Sequence, residues 1–153
     1  MASIVSIAFT PAGVERKPHD WYARVSLDRA MLVEGHGIEG DLKGSRGNRQ
    51  LNVMRAEAVA ELDALGLQTR PGELGEQLII SGLDPALFVP GARLQLGATA
   101  VIEITRLRTG CHRFEHIQGT LKEIVDGRLG VLARVVTGGE ICVGDAVETG
   151  LAQ

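Results

Sequence analysis

The segment RLRTGCHRFEHIQG, residues 106–119, surrounds Cys111, one of only two cysteines in the chain, with arginines and histidines. Cations near a cysteine favour the thiolate, which is both a nucleophile and a soft-metal ligand. Most lone cysteines are instead buried as small hydrophobic side chains. Because polar residues occupy nearly every adjacent position, we predict that this thiol is exposed and reactive. The neighbours expected to act with it are Arg108, His112 and Arg113.

A second group of candidates lies in the glycine-rich segment DLKGSRGNR, residues 41–49. Glycines let backbone amides approach a ligand closely, and cations neutralise an anionic group. The alternative is a solvated surface loop whose glycines only satisfy turn geometry. The cationic candidates are Lys43, Arg46 and Arg49.

The preceding GHGIEG, residues 35–40, has the G-x-G-x-x-G spacing of a dinucleotide-binding loop. Such a loop must open directly into a helix, whose N-terminus then holds the pyrophosphate. Here the next helical pattern begins only near Arg55, after another strand. A dinucleotide site is therefore not expected.

Zinc and hydrolase chemistry are less specific interpretations of the same residues. Cys111 and the two histidines that follow it are acceptable zinc ligands, but a fourth ligand at a recognisable spacing is missing. His36 or Asp41 would complete the set only if the fold brought one of them close. A Cys–His–Glu115 hydrolase set stays open, although residues this close in sequence rarely converge on one point.

Composition limits the class of protein. A chain of 153 residues with 44% hydrophobic and 23% charged residues fits one domain, residues 1–153. A net charge of −3 and only 3% aromatic residues argue against a nucleic-acid partner. No stretch approaches the roughly 20 apolar residues that span a bilayer, so no membrane partner is expected. Two cysteines without a basic, export-type leader indicate a reducing compartment, and we expect a cytoplasmic protein.

Twenty glycines separate short β-branched runs, a pattern typical of many short strands joined by tight turns. We predict a mainly β fold with one or two short helices, one from about Arg55 to Leu65 with Gly66 as its cap and one from Thr120 to Asp126. A hairpin turn at 137–139 is expected to join the last two strands, and alternation in the second of them places Cys142 in the core. The predicted strands are residues 3–9, 22–27, 49–54, 76–80, 92–97, 100–108, 130–136 and 140–148.

Six blocks in order resemble the MOSC domain family, which includes small stand-alone bacterial proteins and the module related to the C-terminal part of molybdenum cofactor sulfurases. The order of the blocks is more specific than any single block, and together they cover about residues 37–145. The blocks are GIEGD (37–41), RQLNV (49–53), PGELGEQLIISGLD (71–84), LFVPGARLQLG (87–97), IEITRLRTGC (102–111) and RVVTGGEICVGD (134–145).

This resemblance implies a β-barrel-like domain in which Cys111 occupies the position of the family's functional cysteine. That cysteine binds molybdenum through its sulfur or carries sulfur as a persulfide, which suits the chemistry of a thiolate. The implied cofactor is the molybdenum cofactor (molybdopterin), and the implied sulfur donor is a separate pyridoxal-phosphate cysteine desulfurase. The residues expected to hold the cofactor are Lys43, Arg46, Arg49, Arg108, His112 and Arg113.

Three positions depart from the pattern of many relatives. Gly110 stands where a proline is common, Gln77 where an asparagine is common, and Lys43 where a histidine is common. The fold assignment does not depend on them. Lys43, however, replaces an imidazole by a cation in the expected site.

Three functional hypotheses follow. The first is a protein that binds the molybdenum cofactor or relays sulfur through Cys111. The second is a molybdenum-dependent reductase of N-hydroxylated compounds, which needs a separate electron donor because the sequence has no haem, iron–sulfur or flavin motif. The third is a non-catalytic module that binds an anion in its basic loop.

Overall fold

The protein, described for residues 1–151 by a computed structural model, is built mainly from β-strands. The described strands are β1 (Ser3–Phe9), β2 (Val25–Leu27), β3 (Arg29–Val33), β4 (Gly37–Ile38), β5 (Leu51–Arg55), β6 (Leu78–Ser81), β7 (Arg93–Leu96), β8 (Ala100–Leu107), β9 (Val131–Thr137), β10 (Gly139–Cys142) and β11 (Val147–Glu148). The helices are α1 (Ala56–Ala64), α2 (His112–Gln118), α3 (Lys122–Val125) and a 3-10 turn at Pro85–Leu87. Within the described residues, no helix has the length and apolar character needed to cross a membrane.

Eight strands form one sheet in the order β11-β7-β8-β9-β5-β6-β1-β2, and the other three form a second sheet in the order β10-β3-β4. The pair β5–β6 runs parallel because α1 carries the chain back between them. Ser3 on β1 forms an isolated bridge with Ala146, next to the edge strand β11. No ladder closes the sheet within residues 1–151, so the mainly β prediction is confirmed, whereas a closed barrel is not found in this part of the chain.

The main core follows the alternation of the strands. Along β8, Ala100, Ile102 and Ile104 are at most 1% exposed, while the residues between them are partly exposed. The small sheet contributes Leu32 and Ile141 to the same core. Each sheet therefore buries one face in a shared core. This packing fixes the strand ends that carry the loops of the site.

A second, smaller core lies beneath the helices. It joins Met54 of β5 and Leu62 of α1 to Phe114, which is 1% exposed and is the buried anchor of α2. The helix α1 ends as predicted, since Gly66 adopts the left-handed conformation with φ of +91° and its N–H donates a hydrogen bond to the backbone carbonyl oxygen of Asp63. This packing holds α2 at the place where the chain leaves Cys111.

The predicted hairpin between the last two strands is not formed. The strand β9 pairs with β8 on one side and with β5 on the other, so neither of its edges is free for β10. The strand β10 pairs instead with β3, with Gly139 opposite Leu32 and Cys142 opposite Arg29. The segment predicted as one strand at 140–148 is therefore split between two sheets.

Two further local predictions differ from the structure. Cys142 is half-buried rather than a core residue, because Ile141 takes the inward position of β10. The helix α2 was not predicted, since Phe114 is its only fully buried residue and a single apolar position in HRFEHIQ gives no periodicity. The third helix, α3, lies within the predicted 120–126 segment.

Candidate functional site

A cavity of about 400 Å³ opens beside the N-terminal end of α2. Its lining brings together seven cationic side chains and no carboxylate, along with Tyr22, Asn52, Gln77 and Cys111. A concave surface lined by positive charges raises the local concentration of anions. The cations are Lys17, Arg24, Lys43, Arg49, Arg106, Arg108 and Arg113.

Cys111 occupies the N-cap position of α2 and is exposed. Its backbone is extended, with φ of −139° and ψ of 173°, and its carbonyl oxygen accepts a 2.9 Å hydrogen bond from the Glu115 amide. The preceding Gly110 packs closely on α3, where an added Cβ would lie 2.7 Å from the Cβ of Lys122. Glycine at this position therefore allows α3 to pack behind the cysteine loop, a contact that a proline ring would obstruct.

Arg108 is a partly buried cation of the cavity. Its Nη2 donates a 2.7 Å hydrogen bond to the carbonyl oxygen of Leu74, and its guanidinium lies 5.9 Å from the centre of the Phe114 ring. Its Nη1 is buried and has no hydrogen-bond partner among the described residues, although the Tyr22 side chain lies beside it. Burial lowers the pKa of Arg108, and the nearby Tyr22 and Glu76 oppose that shift.

Arg24 is held in a similar way. Its Nη1 donates to the Thr10 hydroxyl at 2.8 Å and its Nη2 donates to the Gly75 carbonyl at 2.9 Å. Its Nε is buried without a hydrogen-bond partner in residues 1–151. Burial lowers the pKa of Arg24, and Asp41 acts in the opposite direction. Two fixed guanidinium groups of the cavity thus each keep one unpaired N–H donor.

The carbonyl groups that hold these arginines belong to a loop that Glu76 organises. Glu76 is 1% exposed, and its carboxylate accepts hydrogen bonds from the Gly72 amide at 2.6 Å and the Leu74 amide at 3.1 Å. Burial raises the pKa of Glu76, an effect that the two amide donors and Arg108 counteract. The loop is closely packed at Gly75, where an added Cβ would lie 2.9 Å from Nη2 of Arg108.

Gln77 and Asp41 connect this loop to the glycine-rich segment. The side-chain oxygen of Gln77 accepts from the Asn52 amide at 2.8 Å, and its Nε2 donates to Asp41 at 3.2 Å. The other oxygen of Asp41 accepts from the backbone amides of Thr10 at 3.1 Å and Lys43 at 3.0 Å. Asp41 is therefore a buried structural acceptor that fixes the backbone of Lys43 at the cavity.

The amine of Lys43 binds its proton less tightly than an ordinary lysine does. Burial, together with the cations Arg113, Arg16, Arg24 and Lys17, lowers the pKa of Lys43 from 10.5 to about 8. Burial is the largest cause of this shift, and the neighbouring cations add to it because like charges disfavour the protonated amine. An anion bound here would relieve that repulsion.

A model of the MOSC domain matches residues 21–148. The chain belongs to the MOSC domain family. The family is associated with the molybdenum cofactor. The matched region includes most of the cavity lining, from Tyr22 to Leu132, but not Lys17.

Solved structures with this fold include YuaD from Bacillus subtilis, with a TM-score of 0.78, 19% identity and coverage of 100% of this chain and 98% of that one. YiiM from Geobacillus stearothermophilus has a TM-score of 0.73, 18% identity and coverage of 97% and 75%. YiiM from Escherichia coli has a TM-score of 0.68, 20% identity and coverage of 99% and 70%. At these identities the likeness shows that the fold is shared. No curated protein sequence matches the chain.

In this MOSC domain, five of the seven site residues predicted from sequence line one cavity, and two do not. Arg46 is exposed and absent from the lining. His112 is also absent from the lining, and its Nδ1 lies 3.1 Å from a carboxylate oxygen of Glu115. The five that meet are Lys43, Arg49, Arg108, Cys111 and Arg113.

Arg113 has a mainly structural set of contacts although it lines the cavity. Its Nε and Nη2 donate to the Pro18 carbonyl at 3.3 and 3.1 Å, Nη2 also donates to the Trp21 carbonyl at 3.2 Å, and the guanidinium stacks 4.6 Å from the Tyr22 ring. The zinc alternative that would use His36 or Asp41 with Cys111 is not assembled. Asp41 is engaged in the backbone contacts above, and neither residue lines the cavity.

Sequence reasoning missed Lys17 and Arg24 and did not include Arg106 among the site residues. Arg106 lies in the segment that drew attention to Cys111, so its position two residues before Arg108 was the available signal. Lys17 and Arg24 carry no such signal, because they lie far from the cysteine in sequence and reach the cavity only through the fold.

Proposed function

We propose that this MOSC domain binds the molybdenum cofactor in the cavity, with the Cys111 sulfur as the ligand to the metal and the cationic lining as the phosphate-binding surface. The observation that carries this proposal is the meeting of one exposed thiol with seven cations in a single cavity that has no carboxylate. A thiolate is a ligand suited to soft metal centres, and guanidinium groups suit phosphate geometry.

The residues present fit such a ligand. The buried Nη1 of Arg108 and Nε of Arg24 are donors without partners among the described residues, and an unpaired buried donor costs free energy that an anionic oxygen would recover. Both arginines are already held by carbonyl groups of the 72–76 loop or by Thr10. Because their positions are fixed beforehand, binding an anion does not have to order them.

Each residue then has a distinct task. Arg108 and Arg24 donate hydrogen bonds from fixed positions, whereas Lys43, Arg49 and the exposed Lys17 and Arg106 supply charge at the cavity surface. Cys111 projects from the end of a strand–loop segment held by Phe114 and Gly110. The bound cofactor would supply a redox-active molybdenum centre, and reduction of N-hydroxylated compounds by it would require a separate electron donor.

The exposure of Cys111 favours a second candidate, in which the cysteine carries sulfur. The Cys111 thiolate attacks the outer sulfur of a donor persulfide, a new S–S bond forms as the donor's S–S bond breaks, and the donor leaves as a thiolate. A pyridoxal-phosphate cysteine desulfurase is the class of protein that supplies such a persulfide. A reducing cytoplasm would keep Cys111 in the thiol form that accepts the sulfur.

Elemental analysis and intact mass of freshly purified protein from a molybdenum-replete host test the two candidates in one sample. We expect molybdenum close to one equivalent for the cofactor-binding protein, and an added mass of about 32 Da on Cys111 for the sulfur carrier. Cys111→Ser should remove either signal and Cys142→Ser should remove neither. Molybdenum retained by Cys111→Ser would contradict the role of Cys111 as the metal ligand, and neither signal in the wild type would favour the non-catalytic anion-binding module.

A further inference from the structure

A cluster of three metal-binding side chains lies outside the cavity. The ligand atoms of His19, Asp20 and His116 all lie within 4.8 Å of one another, and no other group of three or more His, Cys, Asp or Glu side chains in residues 1–151 does this. Nε2 of His116 is 2.8 Å from a carboxylate oxygen of Asp20, and the rings of His19 and His116 are 4.0 Å apart. We propose that these three residues form a Zn²⁺ site.

The donor set is one that zinc uses. Two imidazole nitrogens and one carboxylate oxygen are the ligands of three-residue zinc sites, which leave a coordination position for water or another ligand. Bonds of about 2.1 Å in a tetrahedral arrangement put ligand atoms about 3.4 Å apart, so atoms within 4.8 Å of one another need only small movements. The His116–Asp20 contact would open as both groups turn to the ion.

The loop that carries His19 and Asp20 is held in place by residues that are not ligands. Arg113, one turn before His116 on α2, donates hydrogen bonds to the carbonyl oxygens of Pro18 and Trp21. Those carbonyls flank His19 and Asp20 on both sides. These hydrogen bonds of Arg113 hold the loop against α2. The three ligands, which come from two segments, are therefore ordered before the ion binds, and binding costs less entropy.

The local charge works partly against a cation. Arg113 and Lys17 line the same surface depression as His19 and His116. The hydrogen bonds of Arg113 to the Pro18 and Trp21 carbonyl groups direct its N–H donors into the loop. Asp20 supplies one negative charge, and both histidines bind as neutral ligands, so the site would have moderate affinity and would depend on all three residues.

The site has a structural consequence for the cavity. Lys17 and Tyr22 lie on either side of the 18–21 loop and line the cavity wall, while His116 belongs to the helix that Cys111 caps. Zn²⁺ would thus fasten one wall of the cavity to the helix that carries the thiol. Because an ion that binds only the folded state stabilises it, zinc should also raise the thermal midpoint.

The test is titration of tag-free, full-length protein with Zn²⁺ by calorimetry and with Co²⁺ by visible absorption. We expect one equivalent to bind the wild type, with a Co²⁺ spectrum that lacks a thiolate charge-transfer band. The variants His19→Ala, Asp20→Ala and His116→Ala should each weaken binding by about tenfold or more. His19 and Asp20 are exposed loop residues, so their variants report on ligation even if the change in α2 perturbs the helix.

Cys111→Ser is the matched control, since it removes a metal-binding side chain at the start of the same helix but outside the cluster and its surface depression. It should bind Zn²⁺ like the wild type. The proposal would be overturned if His19→Ala and Asp20→Ala bound Zn²⁺ as tightly as the wild type. It would also be overturned if the wild type did not bind Zn²⁺, or if Cys111→Ser lost binding. The measurement uses no molybdenum, so its failure leaves the proposed cofactor function untouched.

Discussion

Arg108 donates a 2.7 Å hydrogen bond through Nη2 to the carbonyl oxygen of Leu74, while its buried Nη1 has no partner among the described residues. This single side chain joins the end of β8, which leads to Cys111, to the loop organised by Glu76. The bond holds the guanidinium group at the cavity wall. The cationic cavity is therefore preorganised by backbone carbonyl groups rather than by acidic partners.

Replacing Arg108 by lysine should weaken anion binding although it keeps the charge. An ammonium cannot hold the Leu74 carbonyl and present a second fixed donor at the same time. Hydrogen bonds of charged groups contribute about 1.5–3 kcal/mol, so we expect roughly a tenfold or greater loss of affinity for inorganic phosphate, measured by calorimetry. Arg46→Gln, which removes a cation outside the cavity, is the control, and an equal loss in that variant would show that only net charge matters.

Changing Cys111 to serine should abolish molybdenum or persulfide loading and leave the fold unchanged. The side chain is exposed and makes no capping hydrogen bond, so the free energy of unfolding should stay within about 0.5 kcal/mol of the wild type. Denaturant unfolding and elemental analysis of the same preparation measure both quantities. A variant that loads normally, or one that loses loading only because it unfolds, contradicts the assigned role.

The affinity of the cavity for sulfate should fall as the pH rises through about 8, the pKa of Lys43. Sulfate is chosen because its own charge does not change in this range. Lys43→Arg should bind sulfate with the same affinity above and below this pH. Lys43→Met should bind sulfate weakly throughout the range. If Lys43→Met keeps the wild-type pH profile, another group is responsible.

The lowered pKa of Lys43 should make the folded protein more stable as the pH rises, whereas it makes sulfate binding weaker. Between pH 8 and the ordinary lysine value of 10.5, the unfolded chain holds the proton of Lys43 more tightly than the folded chain does. The free energy of unfolding should therefore gain a contribution from Lys43 as the pH rises through this window. Denaturant titrations of the wild type and Lys43→Met across this range check the sign, since the contribution should be missing in the variant.

Glu76→Gln should destabilise the protein and weaken anion binding together. The carboxylate accepts hydrogen bonds from the Gly72 and Leu74 amides, and an amide nitrogen in place of one oxygen would face an N–H donor. We expect a loss of about 1.5–3 kcal/mol in the free energy of unfolding. Glu73→Gln, at a more exposed position in the same loop, is the comparison and should change stability little. Equal stability of the two variants would argue that the loop does not depend on Glu76.

Local sequence patterns predicted much of the fold. The alternation of apolar residues identified β1 and β8 almost to the residue, and Gly66 marked the end of α1. Such signals are local, because a strand's side chains alternate whatever it pairs with. Strand pairing is not local. Nothing within residues 130–148 indicates that both edges of β9 are taken, which is why β10 pairs with β3 rather than forming a hairpin.

The sequence by itself determined that the protein is mainly β, that its ordered blocks match one family, and that the polar neighbours of Cys111 favour an exposed thiol. Only the tertiary structure decided that Arg24 and Lys17 join that thiol while Arg46 does not. The physical reason is that the cavity is assembled by long-range hydrogen bonds, such as Arg24 to Gly75 and Arg113 to Pro18, whose partners have no fixed spacing along the chain.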